Sequence, residues 1–168
     1  MKKLYLLFAL ILVSVIQMRA QNAAMLDQKN GFRDALFGMP LSAFSNLVRV
    51  DTAVYVSTYI RSTDTLEIGD YKVSRITYSF YKDTLYDVTI QANDEADSRG
   101  VLGVMNHLYG QGYQPDPKMQ KFNWYGTNVF AIYDEKGGKA NLVITDNIIL
   151  KKKLADEKLR QQQSGSKM

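Results

Sequence analysis

Hydrophobic and polar residues alternate along much of residues 53–92, the pattern of half-buried β-strands. The alternation is clearest over residues 73–81 and 85–92, on either side of a polar segment, Lys82-Asp83-Thr84. Such a segment between two alternating runs predicts a tight hairpin, although the Asn-Gly or Asp-Gly pair that most strongly favours one turn type is missing. Residues 54–59 alternate in the same way, so the pattern predicts a further strand before the hairpin.

The spacing changes to three and four residues after position 93, which predicts an amphipathic helix that ends at Gly110. Asn93 or Asp94 can cap its start, and acidic residues in its first turn favour the positive end of the helix dipole. The apolar stripe of this helix consists of Val101, Leu102, Met105, Leu108 and Tyr109.

A shorter helix is predicted over residues 40–48, because Pro40 suits the first turn of a helix and Leu41, Phe44 and Leu47 follow at helical spacing. Phe32 and Phe37 would then enter the core from an extended segment before it.

Further strands are predicted over residues 122–133 and 140–145, around the turn at residues 135–138. A helix followed by strands, and then again a helix followed by strands, predicts an α+β fold. We expect an antiparallel sheet of about five to six strands with two helices packed on one face, arranged as two α-β-β-type halves.

Residues 1–20 have the features of a signal peptide: Lys2 and Lys3 at the start, an apolar run over residues 4–16, and the small residue Ala20 at a cleavage site. The apolar run is shorter than the roughly 20 residues that cross a bilayer. We therefore expect an exported protein of the periplasm or the extracellular space. Residues 21–31 are predicted to be a flexible N-terminus, and residues 32–150 to be a single domain.

Charge is distributed unevenly along the chain. Residues 21–150 hold 12 basic and 15 acidic residues, which argues against a nucleic-acid partner for the folded body. Residues 151–168 hold six basic and two acidic residues, and this basic tail is predicted to be partly helical or disordered. The tail is either simply solvated or in contact with an anionic surface.

Few residue types for catalysis are present, because the chain has no cysteine and one histidine, His107. Disulfides, thiolate metal sites and sites with two imidazoles are therefore ruled out within one chain. We predict no catalytic residue, no metal and no cofactor. The alternative is a hydrolase that uses scattered carboxylates, whose candidates are Asp70, Asp83, Asp87, Asp116 and Asp134.

Aromatic side chains on predicted strands are the candidate binding residues. Trp124 and Tyr125 are adjacent, so alternation directs them to opposite faces of the sheet, and Tyr55 and Tyr59 add rings on an earlier strand. Exposed Tyr and Trp side chains supply contact area at small entropic cost. We therefore expect a binding module that contacts an envelope protein or a cell-wall ligand.

Four segments, Gly31-Phe32-Arg33, Phe37-Gly38-Met39-Pro40-Leu41, the hairpin strand at residues 76–81 and Asn123-Trp124-Tyr125-Gly126, carry a resemblance to a family of small exported bacterial proteins of unknown function. Phe37 and Asp34 stand where that family has Trp and Gly. The order of elements is also similar to β-lactamase inhibitor proteins and to small outer-membrane assembly lipoproteins, an analogy of fold that implies no function.

Overall fold

A computed structural model describes residues 24–165, so the predicted signal peptide at residues 1–20 lies outside the described residues. Helix α1 covers residues 24–29, α2 covers Glu95–Tyr109 and α3 covers Asn147–Gly165. The strands are β1 (Gly31–Phe32), β2 (Ala35–Leu36), β3 (Leu47–Ala53), β4 (Val56–Arg61), β5 (Glu67–Ile68), β6 (Tyr71–Lys72), β7 (Arg75–Tyr81), β8 (Thr84–Ala92), β9 (Gln120–Tyr125), β10 (Val129–Lys136) and β11 (Lys139–Asp146). None of the helices within residues 24–165 is both long enough and apolar enough to span a bilayer.

Seven strands form the main antiparallel sheet, in the order β3-β4-β7-β8-β11-β10-β9. Two short hairpins, β1–β2 and β5–β6, lie outside it. The α+β class and the antiparallel sheet are confirmed, and the sheet is one strand wider than the largest number predicted.

Alternation along the central strands separates a core face from an outer face. Ile90 pairs with Leu142, and Val88 pairs with Ile144, all four of them buried on the core face. Asp87 and Thr145 form the next pair and therefore point to the outer face. The core lies between the core face and α2, whose Val101 and Met105 are buried.

The predicted hairpin of β7 and β8 is confirmed. Lys82 and Asp83 have φ values of 47° and 60°, the left-handed conformation that a type I′ turn requires at both central positions. A bulge near Ser79 and Phe80 shifts the register of the two strands by one residue.

Helix α2 is also confirmed, with the predicted signals at both ends. The Asp94 carboxylate accepts hydrogen bonds from the backbone N–H groups of Ala96 and Asp97 at 2.9 and 3.3 Å. Gly110 follows the last turn with a φ of 73°. Both ends were predictable because capping depends on residues adjacent in sequence.

The helix predicted over residues 40–48 is wrong. A 3-10 turn covers only Leu41–Ala43, and β3 already begins at Leu47. Pro40 is extended and bridges to Thr84, and the Leu41 N–H donates to the Asp83 carbonyl at 2.7 Å. The turn of the β7–β8 hairpin therefore holds this segment beside it. Phe44 has an extended backbone, and its ring packs edge-on against the ring of Phe80 in the core.

Residues 122–133 form two strands, β9 and β10, instead of the single strand predicted. The turn between them is held by Asp27 of α1, whose carboxylate accepts from the N–H groups of Thr127, Asn128 and Val129 at 2.7 to 2.9 Å. Residues 24–29, predicted as part of a flexible segment, thus form a helix that contacts this turn. A contact between residues about a hundred positions apart leaves no periodic signal in the sequence.

Helix α3 packs against β8 and β11 on the outer face, opposite to α2. Its Asp156 accepts hydrogen bonds from Tyr81 and from Lys82, the latter at 2.5 Å. Of the two helices predicted on one face of the sheet, α2 forms and the helix over residues 40–48 does not, whereas most of α3 belongs to the segment predicted as a partly helical or disordered basic tail. Helix α3 follows β11 directly, and the Asp146 carboxylate caps it by accepting from the N–H of Ile149 at 2.7 Å.

Candidate ligand-binding cavity

Two of the four aromatic residues predicted to bind a partner are in the core. Trp124 is 5% exposed and Tyr59 is 6% exposed. The Trp124 indole N–H donates to the Gly110 carbonyl at 2.8 Å, so even its polar atom is engaged within the fold. Neither ring is available at the surface to contact a partner.

Tyr55 and Tyr125 are exposed, but they do not share a surface. Tyr55 lies in the turn between β3 and β4, with the Lys82 ammonium 5.2 Å from its ring centre, and Tyr125 ends β9 at the other edge of the sheet. Four strands, β7, β8, β11 and β10, separate β4 from β9. The structure therefore does not bring the four predicted residues together in one site.

A cavity of about 200 Å³ lies between α2, the core face of the sheet and the β1–β2 hairpin. Its floor is formed by buried side chains of β8 and β11, and Met105 of α2 forms one wall. The residues that line it are mostly apolar, and they are Lys29, Gly31, Phe32, Arg33, Ile68, Ile90, Val104, Met105, Leu108, Tyr109, Leu142 and Ile144.

Two cations, Lys29 and Arg33, are the charged residues of this lining. The exposed Lys29 ammonium donates one hydrogen bond to the Arg33 carbonyl at 2.9 Å, and it forms no ion pair with any residue of the described chain. An ammonium has three N–H donors, so Lys29 retains donors for a ligand.

Arg33 is fixed by partners within the fold. Its guanidinium donates to the carbonyls of Thr65 and Glu67 at 2.8 and 2.5 Å, and it lies 4.9 Å from the centre of the Phe32 ring. Arg33 has a φ of 55°, which allows the tight turn between β1 and β2. Its contacts hold Phe32 and the hairpin against the cavity.

An ion-pair cluster beside the cavity reinforces this arrangement. Asp64, whose side chain is 3% exposed, pairs with Arg61 at 2.8 Å and accepts from the Tyr78 hydroxyl at 2.8 Å. Arg61 also makes a two-pronged contact with Asp34, with both distances at 2.8 Å. The hydrogen bonds from Arg61 lower the pKa of the Asp34 carboxyl to about 2, and burial raises the pKa of the Tyr78 hydroxyl.

The size of the cavity limits what it can hold. An apolar cavity of about 150 Å³ accommodates benzene, whereas sites for drug-sized ligands have roughly 300–1,000 Å³. This cavity therefore suits a short alkyl chain or a single ring. With a cation at its rim, the arrangement favours a small molecule with one apolar end and one anionic end.

None of the five carboxylates considered for a hydrolase lines the cavity. Asp87 is the most enclosed of them, and it lies on the outer face, where Thr145 and Thr89 donate to it at 2.7 and 3.2 Å. Burial raises the pKa of this carboxyl. His107 is exposed on α2, and residues 24–165 contain no group of three His, Cys, Asp or Glu side chains that could hold a metal ion.

The cavity was missed by sequence reasoning because its walls come from separate parts of the chain. Lys29 falls in the segment predicted to be flexible, Met105 and Leu108 were predicted only as part of the apolar stripe of a core helix, and Val104 was not singled out. Within Gly31-Phe32-Arg33 the sequence predicted only that Phe32 enters the core, whereas all three residues line one wall of the cavity. A Cβ at Gly31 would overlap the Ala35 carbonyl, which explains the glycine there.

Comparisons with protein-family models, with curated proteins and with solved structures find no match to this chain. The resemblance to small exported bacterial proteins stays a prediction, and the assignment of function depends on the geometry of the site.

Proposed function

We propose that this chain is a binding domain whose cavity takes the apolar end of a small anionic molecule. The anionic group of the ligand lies at the rim, where Lys29 donates to it. The observation that carries the proposal is the combination of a buried apolar floor with an ammonium that forms no ion pair among residues 24–165.

The chemistry of the lining supports binding over catalysis. Ile90, Leu142 and Ile144 supply apolar contact, and the residues that line the cavity include no carboxylate and no imidazole to act as a general base. The proposal therefore assigns no catalytic residue and requires no cofactor.

The signal-peptide pattern of residues 1–20 supports a location in the bacterial envelope or outside the cell. An envelope protein or a cell-wall component as partner also stays a hypothesis. Of the four aromatic residues proposed to contact it, Tyr55 and Tyr125 have the exposure that contact requires.

Titration with hexanoate and with 1-hexanol tests the proposal, because the two probes differ mainly in charge. The chain from residue 21 onward, labelled at its methionine methyl groups, reports binding through the Met105 signal, which is assigned by comparison with Met105→Leu. We expect both probes to shift that signal and hexanoate to bind more tightly. Lys29→Gln should weaken hexanoate binding roughly fivefold and leave hexanol binding unchanged.

Two further variants separate the contribution of the cavity from that of the Lys29 charge. Val104→Phe adds volume at the wall of the cavity and should weaken both probes, whereas Lys118→Gln, an exposed lysine away from the cavity, should affect neither. An unchanged Met105 signal at millimolar concentrations of both probes would contradict the proposal. If Lys29→Gln and Lys118→Gln changed the affinity for hexanoate equally, the proposed contact between Lys29 and the anionic group would be contradicted.

A further inference from the structure

Helix α3 presents one continuous exposed face to solvent. Its residues, spaced three and four apart, are Ile148, Lys151, Lys152, Ala155, Lys158 and Leu159, and all six are exposed. That spacing places them on a single side of a helix. We call this set the outward face of α3.

The opposite side of the helix is half-buried against the sheet and holds both acidic residues of α3. Asp156 contacts Tyr81 and Lys82, and Glu157 pairs with Lys153 at 2.8 Å. Lys151, Lys152 and Lys158 form no ion pair among residues 24–165. Charge is thus segregated, with uncompensated lysines on the outward face.

Two large apolar side chains of the outward face lie at either end of this run of lysines. Ile148 is 48% exposed and Leu159 is 56% exposed. Single exposed apolar residues are ordinary on protein surfaces, so neither alone indicates a function. By helical spacing, Ile148, Ala155 and Leu159 form a narrow strip along this face, and the lysines lie on either side of the strip. Long lysine side chains in that position can extend to an anionic surface while the strip meets an apolar phase.

We propose that the outward face of α3 binds the surface of an anionic phospholipid bilayer. The helix lies parallel to the surface, the lysine side chains extend to the headgroup phosphates, and Ile148 and Leu159 enter the outer part of the hydrocarbon. Residues 21–150 carry a net charge of −3, so an anionic surface attracts α3 and repels the rest of the domain. This difference orients the protein with α3 toward the lipid.

The apolar residues favour lipid over other polyanions. A nucleic acid also attracts lysines, but its backbone offers no apolar phase for Leu159. The surface is separate from the cavity, because α3 packs on the outer face of the sheet and the cavity lies on the core face. The proposal therefore does not depend on the proposed ligand.

Co-sedimentation with vesicles tests this proposal. The chain from residue 21 onward contains every described element and lacks the apolar leader, which would itself insert into lipid. We expect it to bind phosphatidylglycerol vesicles at least tenfold more tightly than phosphatidylcholine vesicles, and to lose affinity as salt is raised. Replacement of Lys151, Lys152 and Lys158 by Gln should weaken binding roughly a hundredfold, about fivefold for each lysine.

A control of equal charge change replaces Lys118, Lys136 and Lys139, which are exposed and lie outside α3, by Gln. It should retain binding within about threefold, a small loss that reflects the change in net charge. Leu159→Ser should weaken binding to phosphatidylglycerol vesicles severalfold, because the aliphatic side chain that enters the bilayer is lost.

Two results would overturn the proposal. One is equal loss of binding in the two triple variants, which would make the effect one of net charge alone. The other is binding that is insensitive to Leu159→Ser and equally tight for a DNA duplex, which would make the face a site for polyanions in general.

Discussion

At the scale of single residues, Trp124 and Tyr125 show how alternation gives neighbours opposite roles. The Trp124 ring packs where a Cβ on Gly112 would overlap it, and its indole N–H reaches Gly110. Tyr125, one position later, is 58% exposed. The sequence correctly predicts that one of the pair belongs to the core, but the choice between them depends on which face α2 covers.

Substitution of the two residues should therefore have very different effects on stability. We expect Trp124→Ala to lower the free energy of unfolding by about 3 kcal/mol or more, because it removes a large buried ring and leaves a cavity. Tyr125→Ala should change it by less than about 1 kcal/mol. Urea denaturation of both variants measures the difference, and similar losses would mean that the outer face at β9 is covered.

At the scale of elements, the sequence predicted the structure correctly where residues within one segment determine its conformation. The β7–β8 hairpin and α2 follow from periodicity and caps within each segment. The prediction of a helix over residues 40–48 was wrong because contacts with the β7–β8 hairpin hold Pro40 and Leu41 in place. The apolar side chains of this segment can reach the core without forming a helix. The cavity could not be predicted from the sequence for a related reason. Its walls come from segments that are distant in the chain, and no local pattern identifies them.

Two glycines in α2 differ in a way that only the packing of the helix reveals. A Cβ at Gly100 would overlap the ring of Tyr71 in β6, whereas a Cβ at Gly103 would meet nothing within 4 Å. Helix propensity alone favours alanine at both positions by roughly 0.5–1 kcal/mol.

We therefore expect Gly103→Ala to stabilise the protein by about that amount and Gly100→Ala to destabilise it, because the Tyr71 ring must move. Thermal and urea unfolding of the two variants provide a matched comparison within one helix. If Gly100→Ala in a Tyr71→Leu background recovers stability, the clash is the cause. Stabilisation by both alanines would show that β6 does not pack on α2 as described.

At the scale of the whole molecule, the sheet separates the two proposed binding surfaces. The cavity lies on the core face beneath α2, and α3 lies on the outer face, where the contacts of Asp156 with Tyr81 and Lys82 join it to the β7–β8 hairpin. The core cluster draws on α1, α2 and the strands, and it includes no residue of α3. The domain core is therefore complete without α3.

Deletion of residues 151–168 tests this independence. We expect the shortened chain to unfold in a single cooperative transition at a somewhat lower urea midpoint, since the half-buried side of α3 is lost while the core cluster remains. The shortened chain should still respond to hexanoate at Met105 but should no longer bind phosphatidylglycerol vesicles. Loss of cooperative unfolding would show that α3 is required for the fold. Loss of the hexanoate response in a chain that still unfolds cooperatively would show that the two faces are coupled through the sheet, because the deletion removes no residue that lines the cavity.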